Sequence, residues 1–199
     1  MKLVLASKNQ KKLVEMNKIL SHLGIQVCSE AEAGVDVEVE ETGATFEENS
    51  LLKARAVMEA SGMPAIADDS GLCVDALNGA PGVYSARYGG EGLDDVGRYR
   101  LLLENMRGQT PRTAKFVSVI TCCFPNGDVL SARGECPGTI AFAPMGEGGF
   151  GYDPVFFIPS LKKTFAQLSP EEKNAISHRG KALEAFKVKL EEYLGEDRS

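Results

Sequence analysis

Two neighbouring carboxylates, Asp68 and Asp69, follow the apolar run Ala65-Ile66-Ala67 and are closed by Ser70-Gly71. Adjacent acids leaving a buried strand point to opposite sides, so one can meet a metal or solvent while the other packs elsewhere. Carboxylate oxygens are the natural ligands of Mg²⁺, which in turn binds phosphate oxygens. An Asx turn completed by Ser and Gly is the plainer alternative. Against it, an apolar strand running into two acids is costly unless something pairs them. A second acidic corner, Glu40-Glu41-Thr42-Gly43, ends another predicted strand. Alone it reads as surface charge; with Asp69 it could complete a metal site.

Three further segments carry chemistry-bearing residues. Ser7-Lys8-Asn9-Gln10-Lys11-Lys12 lies where a first strand gives way to a first helix. A helix N-terminus offers unpaired N–H groups and partial positive charge, which suit a phosphate. Ser7 and Asn9 add side-chain hydrogen bonds and Lys12 a full charge. By spacing alone, an N-cap followed by a solvated basic turn comes first. Gly146-Glu147-Gly148-Gly149-Phe150-Gly151 matches G-x-G-x-x-G formally. It lacks the following helix that a dinucleotide fingerprint needs, so it reads as a backbone loop with Phe150 or Tyr152 available to stack on a base. A plain turn before a strand fits that segment equally. Ser169-Pro170-Glu171-Glu172 is a strong helix start, with Lys173 one turn in and Ser177-His178-Arg179 opening a further helix. No Ser/His/Asp or Cys/His arrangement stands out for covalent catalysis.

These residues need elements to hold them. Leu3 to Ala6 predicts a buried strand, followed by a helix with Leu13, Met16, Leu20 and Leu23 on one face and Gly24 as its stop. Val35 to Val39 alternates as a half-buried strand does. Thr45 and Glu48 form a capping box for a helix that runs to Ser61-Gly62. Ala65 to Ala67 and Leu72 to Leu77 read as two strands, and Asp95 to Met106 as a helix. Ala114 to Phe124 and Val129 to Gly134 read as a hairpin, where Asn126-Gly127 supplies positive φ angles. A last helix carries Leu183, Phe186, Leu190 and Leu194, and Gly195 to Ser199 reads as a frayed tail. The interleaving predicts α/β with a mixed sheet, and residues 1–199 as a single domain.

Composition narrows the partners. The 199 residues carry a formal net charge of −6, so no basic surface is in excess for gripping a nucleic-acid backbone. Phosphate binding then falls to a few placed lysines, arginines and amides. The five cysteines have neither disulfide nor zinc spacing, and Cys73, Cys122 and Cys123 sit in apolar runs as small hydrophobes. The start is too short and too soon polar for a signal peptide, and no run reaches membrane-spanning length. A cytoplasmic protein without membrane or nucleic-acid partners is expected.

Taken in order, the motifs resemble the inosine triphosphate pyrophosphatase family. The matching stretches are Ser7 to Lys12, Glu40 to Asn49, Leu52 to Ala54, Ala67 to Gly71, Gly79 to Arg87, Gly149 to Pro154 and Ser177 to Arg179. Each is weak by itself; the ordered set is specific and runs almost end to end. The resemblance implies an elongated mixed α/β fold, two lobes around a central nucleotide-binding cleft, and a homodimer. It implies hydrolysis of deaminated purine nucleoside triphosphates with Mg²⁺ as cofactor. It makes Ser7, Asn9, Lys12 and Lys53 phosphate contacts, with Lys8, Gln10 and Lys11 in the same segment. Glu40 and Asp69 become Mg²⁺ ligands, and Asp69 also the proton acceptor for water. Asp68 and Ser70 line the pocket, while Phe150, Gly151, Tyr152, Asp153, Lys173, His178 and Arg179 hold base and sugar. Pyrophosphatases of similar shape but other substrates begin with Ser-x-Ser-x-Arg-Arg, whereas Asn9 and Lys12 stand here. A nucleotide sensor without turnover is the alternative from another class, and intact Glu40 and Asp69 speak against it.

Overall fold

Strand β1 (Lys2–Leu5) buries Leu3, Val4 and Leu5, so both of its faces are covered, as a central parallel strand requires. The computed structural model describes residues 1–196. Helix α1 (Gln10–Leu20) starts at Asn9, whose side chain accepts from Lys11 N at 3.0 Å, and it buries Met16 and Leu20. Gly24, at φ +70°, ends the 3-10 turn that follows. Strand β2 (Gln26–Cys28) pairs in parallel with β1. Its Val27 is held by Asn17 of α1, which donates to the carbonyl at 2.7 Å and accepts from the amide at 2.8 Å.

No strand forms over residues 35–39. The alternation gives Val35 and Val37 one apolar side to pack, but local groups take the amides that a ladder would use. Val35 N donates to Glu30 O and Val37 N to the Glu30 carboxylate. Helix α2 (Phe46–Ser61) begins at Thr45 as expected, with Thr45 Oγ1 accepting from Glu48 N. The returning bond from Glu48 goes to Ala44 N rather than Thr45 N.

The two strands expected around the acidic pair are one, β3 (Ala65–Val74), which runs without a break through Asp68, Asp69, Ser70 and Gly71. It pairs in parallel with β1. Helix α3 (Asp95–Asn105) is capped by Asp94. Strands β4 (Thr113–Cys123) and β5 (Val129–Ile140) form the hairpin, and β5 extends six residues past the expected end at Gly134. Gly127 alone takes the positive φ in the turn; Asn126 instead caps it by accepting from Asp128 N. Short strands β6 (Phe156–Ile158) and β7 (Lys163–Thr164) pair antiparallel. Helix α4 (Pro170–Ile176) has its capping box, and α5 (His178–Glu196) includes Gly195 and Glu196 of the expected tail. Residues 197–199 lie outside the described residues.

The strand order is β2-β1-β3-β4-β5-β6-β7, with parallel pairs at β1 and antiparallel pairs at β6. The fold is α/β with a mixed sheet. The chain divides into two compact units. The first comprises Met1–Asp69, Ser118–Gly134 and the chain from Lys181, with cores around Leu5, Met16, Phe186 and around Val4, Ala54, Ala67. The second comprises Ser70–Val117 and Glu135–Gly180, with a core around Leu72, Phe116, Phe156 and Phe165. No described helix is long and apolar enough to cross a membrane.

Candidate functional site

The acidic pair and the lysines meet in the first unit. Asp68 and Asp69 are both buried, yet they find different partners, as side chains on opposite faces of one strand must. Asp68 Oδ1 takes Lys12 Nζ at 2.8 Å. Asp69 Oδ1 lies 3.5 Å from Lys53 Nζ, which also donates to the Asp68 carbonyl at 2.7 Å and to Glu41 Oε1 at 2.6 Å. Burial pushes the Lys53 ammonium down, but the charges of Asp69, Glu41 and Asp68 outweigh it and hold its pKa above the usual value.

Asp69 responds in the opposite way. Burial raises its pKa to about 6; Lys53 and a hydrogen bond from Asn49 oppose that rise, while Glu41 and Asp68 add to it. Its second oxygen, Oδ2, is buried without a hydrogen-bond partner. A buried oxygen left bare in this way suits a hard cation, which needs few protein ligands when phosphate and water complete its shell. Glu40 is exposed, whereas Glu41, one residue on, is the corner carboxylate that Lys53 and Asp69 feel. Among the described residues no group of three or more His, Cys, Asp or Glu is arranged to hold a metal. A cation here would rest on Asp69 and the Glu40-Glu41 corner alone.

The first helix presents its candidates unevenly. Gln10 and Lys11 are exposed, and Ser7 Oγ accepts from Asn9 N at 3.2 Å. Lys8 pairs with Asp36 at 3.0 Å on an open surface, and that carboxylate raises the lysine's pKa. Such an exposed pair is weak and yields readily to a better anion. Ser7, Lys8 and Lys53 share the wall of a small cavity of about 140 Å³, with Glu30 and Val37.

The second unit holds a separate cavity of about 230 Å³. Seven of the expected residues line it: Ser70, Phe150, Tyr152, Asp153, Lys173, His178 and Arg179. Gly151 does not, but its N–H donates to Asp95 Oδ2 at 3.0 Å and so ties the glycine loop to α3. Asp153 is buried and accepts from Lys173 Nζ at 2.6 Å and from Phe150 N at 3.1 Å. Burial raises the pKa of Asp153 and the Lys173 charge opposes it. Gly149 sits at φ +72°, and a Cβ there would stand 2.1 Å from Asp153 Oδ2, so only glycine lets the loop close on this acid. Lys173 Nζ also lies 4.7 Å from the centre of the Phe150 ring.

Of the two aromatics expected to stack, Phe150 is 61% exposed and Tyr152 is buried, its hydroxyl donating to Ser85 O at 2.6 Å. Phe150 is therefore the open platform and Tyr152 a wall. Sequence reasoning missed Phe116, which lines the cavity and stacks on the His178 ring at 4.7 Å and 14°. It also missed Asp95 and Ser85. Ser85 lies inside a quoted motif, Gly79 to Arg87, so a signal existed. Phe116 had none, being one apolar residue in an apolar strand. An exposed ring beside cationic donors and one buried acceptor suits a flat heteroaromatic ring with polar edges.

The Ham1 family profile matches residues 3–189. A dITP/XTP pyrophosphatase of Haemophilus influenzae is 52% identical over 193 residues, covering 95% of this chain and 98% of that protein. Another, from Desulforamulus reducens, is 52% identical over 185 residues, 92% of each. The solved structure of the Staphylococcus aureus Ham1 protein superposes with a TM-score of 0.92 at 44% identity, covering 97% of this chain and all of that one. A profile spanning nearly the whole sequence, and relatives this similar over more than nine-tenths of their length, mean that the chain belongs to the Ham1 family.

Proposed function

We propose that this protein hydrolyses deaminated purine nucleoside triphosphates, ITP, dITP and XTP, to the nucleoside monophosphate and pyrophosphate. The observation that carries the reading is Asp69: a buried carboxylate beside Lys53, with one bare oxygen and a pKa of about 6. The name printed for the Haemophilus relative, dITP/XTP pyrophosphatase, supports the choice of substrate.

Water attacks the α-phosphorus. A new O–P bond forms, the bridging P–O bond to the β-phosphate breaks, and pyrophosphate leaves. Asp69 takes the proton that the water gives up, a task suited to a carboxylate raised toward neutrality. Lys53, Lys12 and Lys8, with Ser7, Asn9 and the first N–H groups of α1 around Gln10 and Lys11, neutralise and orient the phosphate oxygens. Mg²⁺ bound by Asp69 and Glu40 or Glu41 would supply Lewis-acid charge neutralisation on those oxygens. Phe150 stacks on the base, and Asp153, Lys173, His178 and Arg179 read its edges, with Ser70 in the same cavity wall. The same reading makes the protein a cytoplasmic homodimer, which light scattering at micromolar concentration would check.

The test is hydrolysis of ITP in ¹⁸O-labelled water, with Mg²⁺ and with EDTA. One pyrophosphate per IMP, label in IMP, and no turnover in EDTA are expected. Release of orthophosphate, or label in pyrophosphate, would overturn the proposal.

A further inference from the structure

We infer that Asn49 is a positioning residue for the acidic site, clipping the Glu40–Gly43 corner to α2 beside Asp69. The inference rests on the proposed reading of that corner and Asp69 as the cation site.

Asn49 is fully buried in the first turn of α2, where asparagine has no propensity to recommend it. Its Oδ1 accepts from Gly43 N at 2.7 Å, while Nδ2 stands 3.5 Å from Gly43 O. The carboxamide thus leans on one strong bond to the corner and has a donor to spare. Asn49 also favours the charged form of Asp69, as Lys53 does. A single planar group therefore gives an acceptor to the corner and bears on the charge of the acid. Leucine of similar size would offer no such acceptor.

The corner is shaped to this amide. A Cβ at Gly43 would come 2.6 Å from Asn49 Oδ1 and 2.7 Å from Glu48 Cβ. Starting the helix does not require the clip, because Thr45 and Glu48 already cap it through Glu48 N and Ala44 N. What the clip adds is register between the corner and Asp69. Lys53, four residues on and hence on the same helix face, meets Glu41 and Asp69 from that side. The face of α2 thus holds the corner at two points, one neutral and one charged.

Mn²⁺ is the probe, with free ion counted by electron paramagnetic resonance against full-length protein. Groups that orient metal ligands cost roughly 10–100-fold in affinity when lost. Asn49→Leu and Gly43→Ala should each weaken Mn²⁺ binding about tenfold, with KM for ITP at saturating metal within about twofold of the parent. Because both break one clip, the double variant should lose about tenfold, not a hundredfold. Should Asn49→Leu fail to fold, Gly43→Ala carries the test. Parent-like Mn²⁺ affinity in a folded variant, or multiplied losses in the double, would overturn the clip while leaving the parent's Mn²⁺ binding and ITP hydrolysis intact. A parent protein that binds no Mn²⁺ overturns the underlying reading and the clip with it.

Discussion

Lys12 Nζ lies 2.8 Å from Asp68 Oδ1, joining helix α1 to strand β3 through a carboxylate whose side chain is 2% exposed. The lysine expected to serve a phosphate therefore also neutralises a buried acid. Removing one partner of such a pair leaves a buried charge uncompensated, at a cost of about 3–5 kcal/mol. Lys12→Ala should lower the urea midpoint accordingly, and adding Asp68→Asn should recover most of the loss. An unchanged midpoint in the single variant would reduce Lys12 to a surface cation.

Asp69→Asn keeps the shape and removes the base. Turnover of ITP should fall by at least roughly a hundredfold, the lower end of general-base contributions. Near-normal turnover at saturating Mg²⁺ would end the assignment.

The same variant tests burial without any substrate. The folded pKa of Asp69, about 6, stands above the ordinary 3.8, so the folded chain binds the proton more tightly than the unfolded chain. The contribution is fully present below pH 3.8 and is lost as pH rises through about 6. In EDTA at neutral pH, Asp69→Asn should match or exceed the parent in stability, by something of order 1 kcal/mol after allowing for solvent screening. The gap should close in acid. Denaturation curves across this range decide it, and a variant less stable at neutral pH would contradict burial as the dominant cause.

Phe116 is the wall on which His178 rests, and it also meets Phe156 and Phe165 at 4.5 and 5.5 Å. Phe116→Leu keeps apolar volume and loses the flat face. Aromatic pairs contribute roughly 0.5–1.5 kcal/mol beyond their area, so the midpoint should drop modestly and KM for ITP should rise severalfold. If KM holds while stability falls, the ring serves the core alone.

Arg179 lines the cavity beside His178. Hypoxanthine and xanthine carry an acceptor at C6, where adenine carries an amino donor; guanine shares the oxygen but adds a C2 amino group. Donors facing both positions would leave the adenine and guanine amino groups opposed, and sites that strand a polar group discriminate strongly. Arg179→Ala should therefore cost kcat/KM for ITP far more than for GTP. Measuring ITP, XTP, GTP and ATP on both proteins checks this. An equal proportional loss across all four would move selection elsewhere.

By itself the sequence determined what short-range chemistry can encode. Ser169-Pro170-Glu172 and Thr45 start helices where expected, because a cap needs only residues three apart. Gly24 and Gly62 stop them at positive φ. The ordered motifs also named part of the second-unit cavity, Ser70, Phe150, Tyr152, Asp153, His178 and Arg179, since those identities are written in the chain. Tertiary structure decided everything that depends on a distant partner. Residues 35–39 alternate like a strand, but a strand exists only where a neighbour offers a ladder, and Glu30 takes the amides first. Asp68 and Asp69 looked like a strand's end and lie inside one, because Lys12 and Lys53, remote in sequence, supply the countercharge that lets two acids be buried. Which corner acid Lys53 holds, which aromatic stays open, and that Phe116 backs His178 are matters of side-chain direction, and direction is fixed only when the core packs.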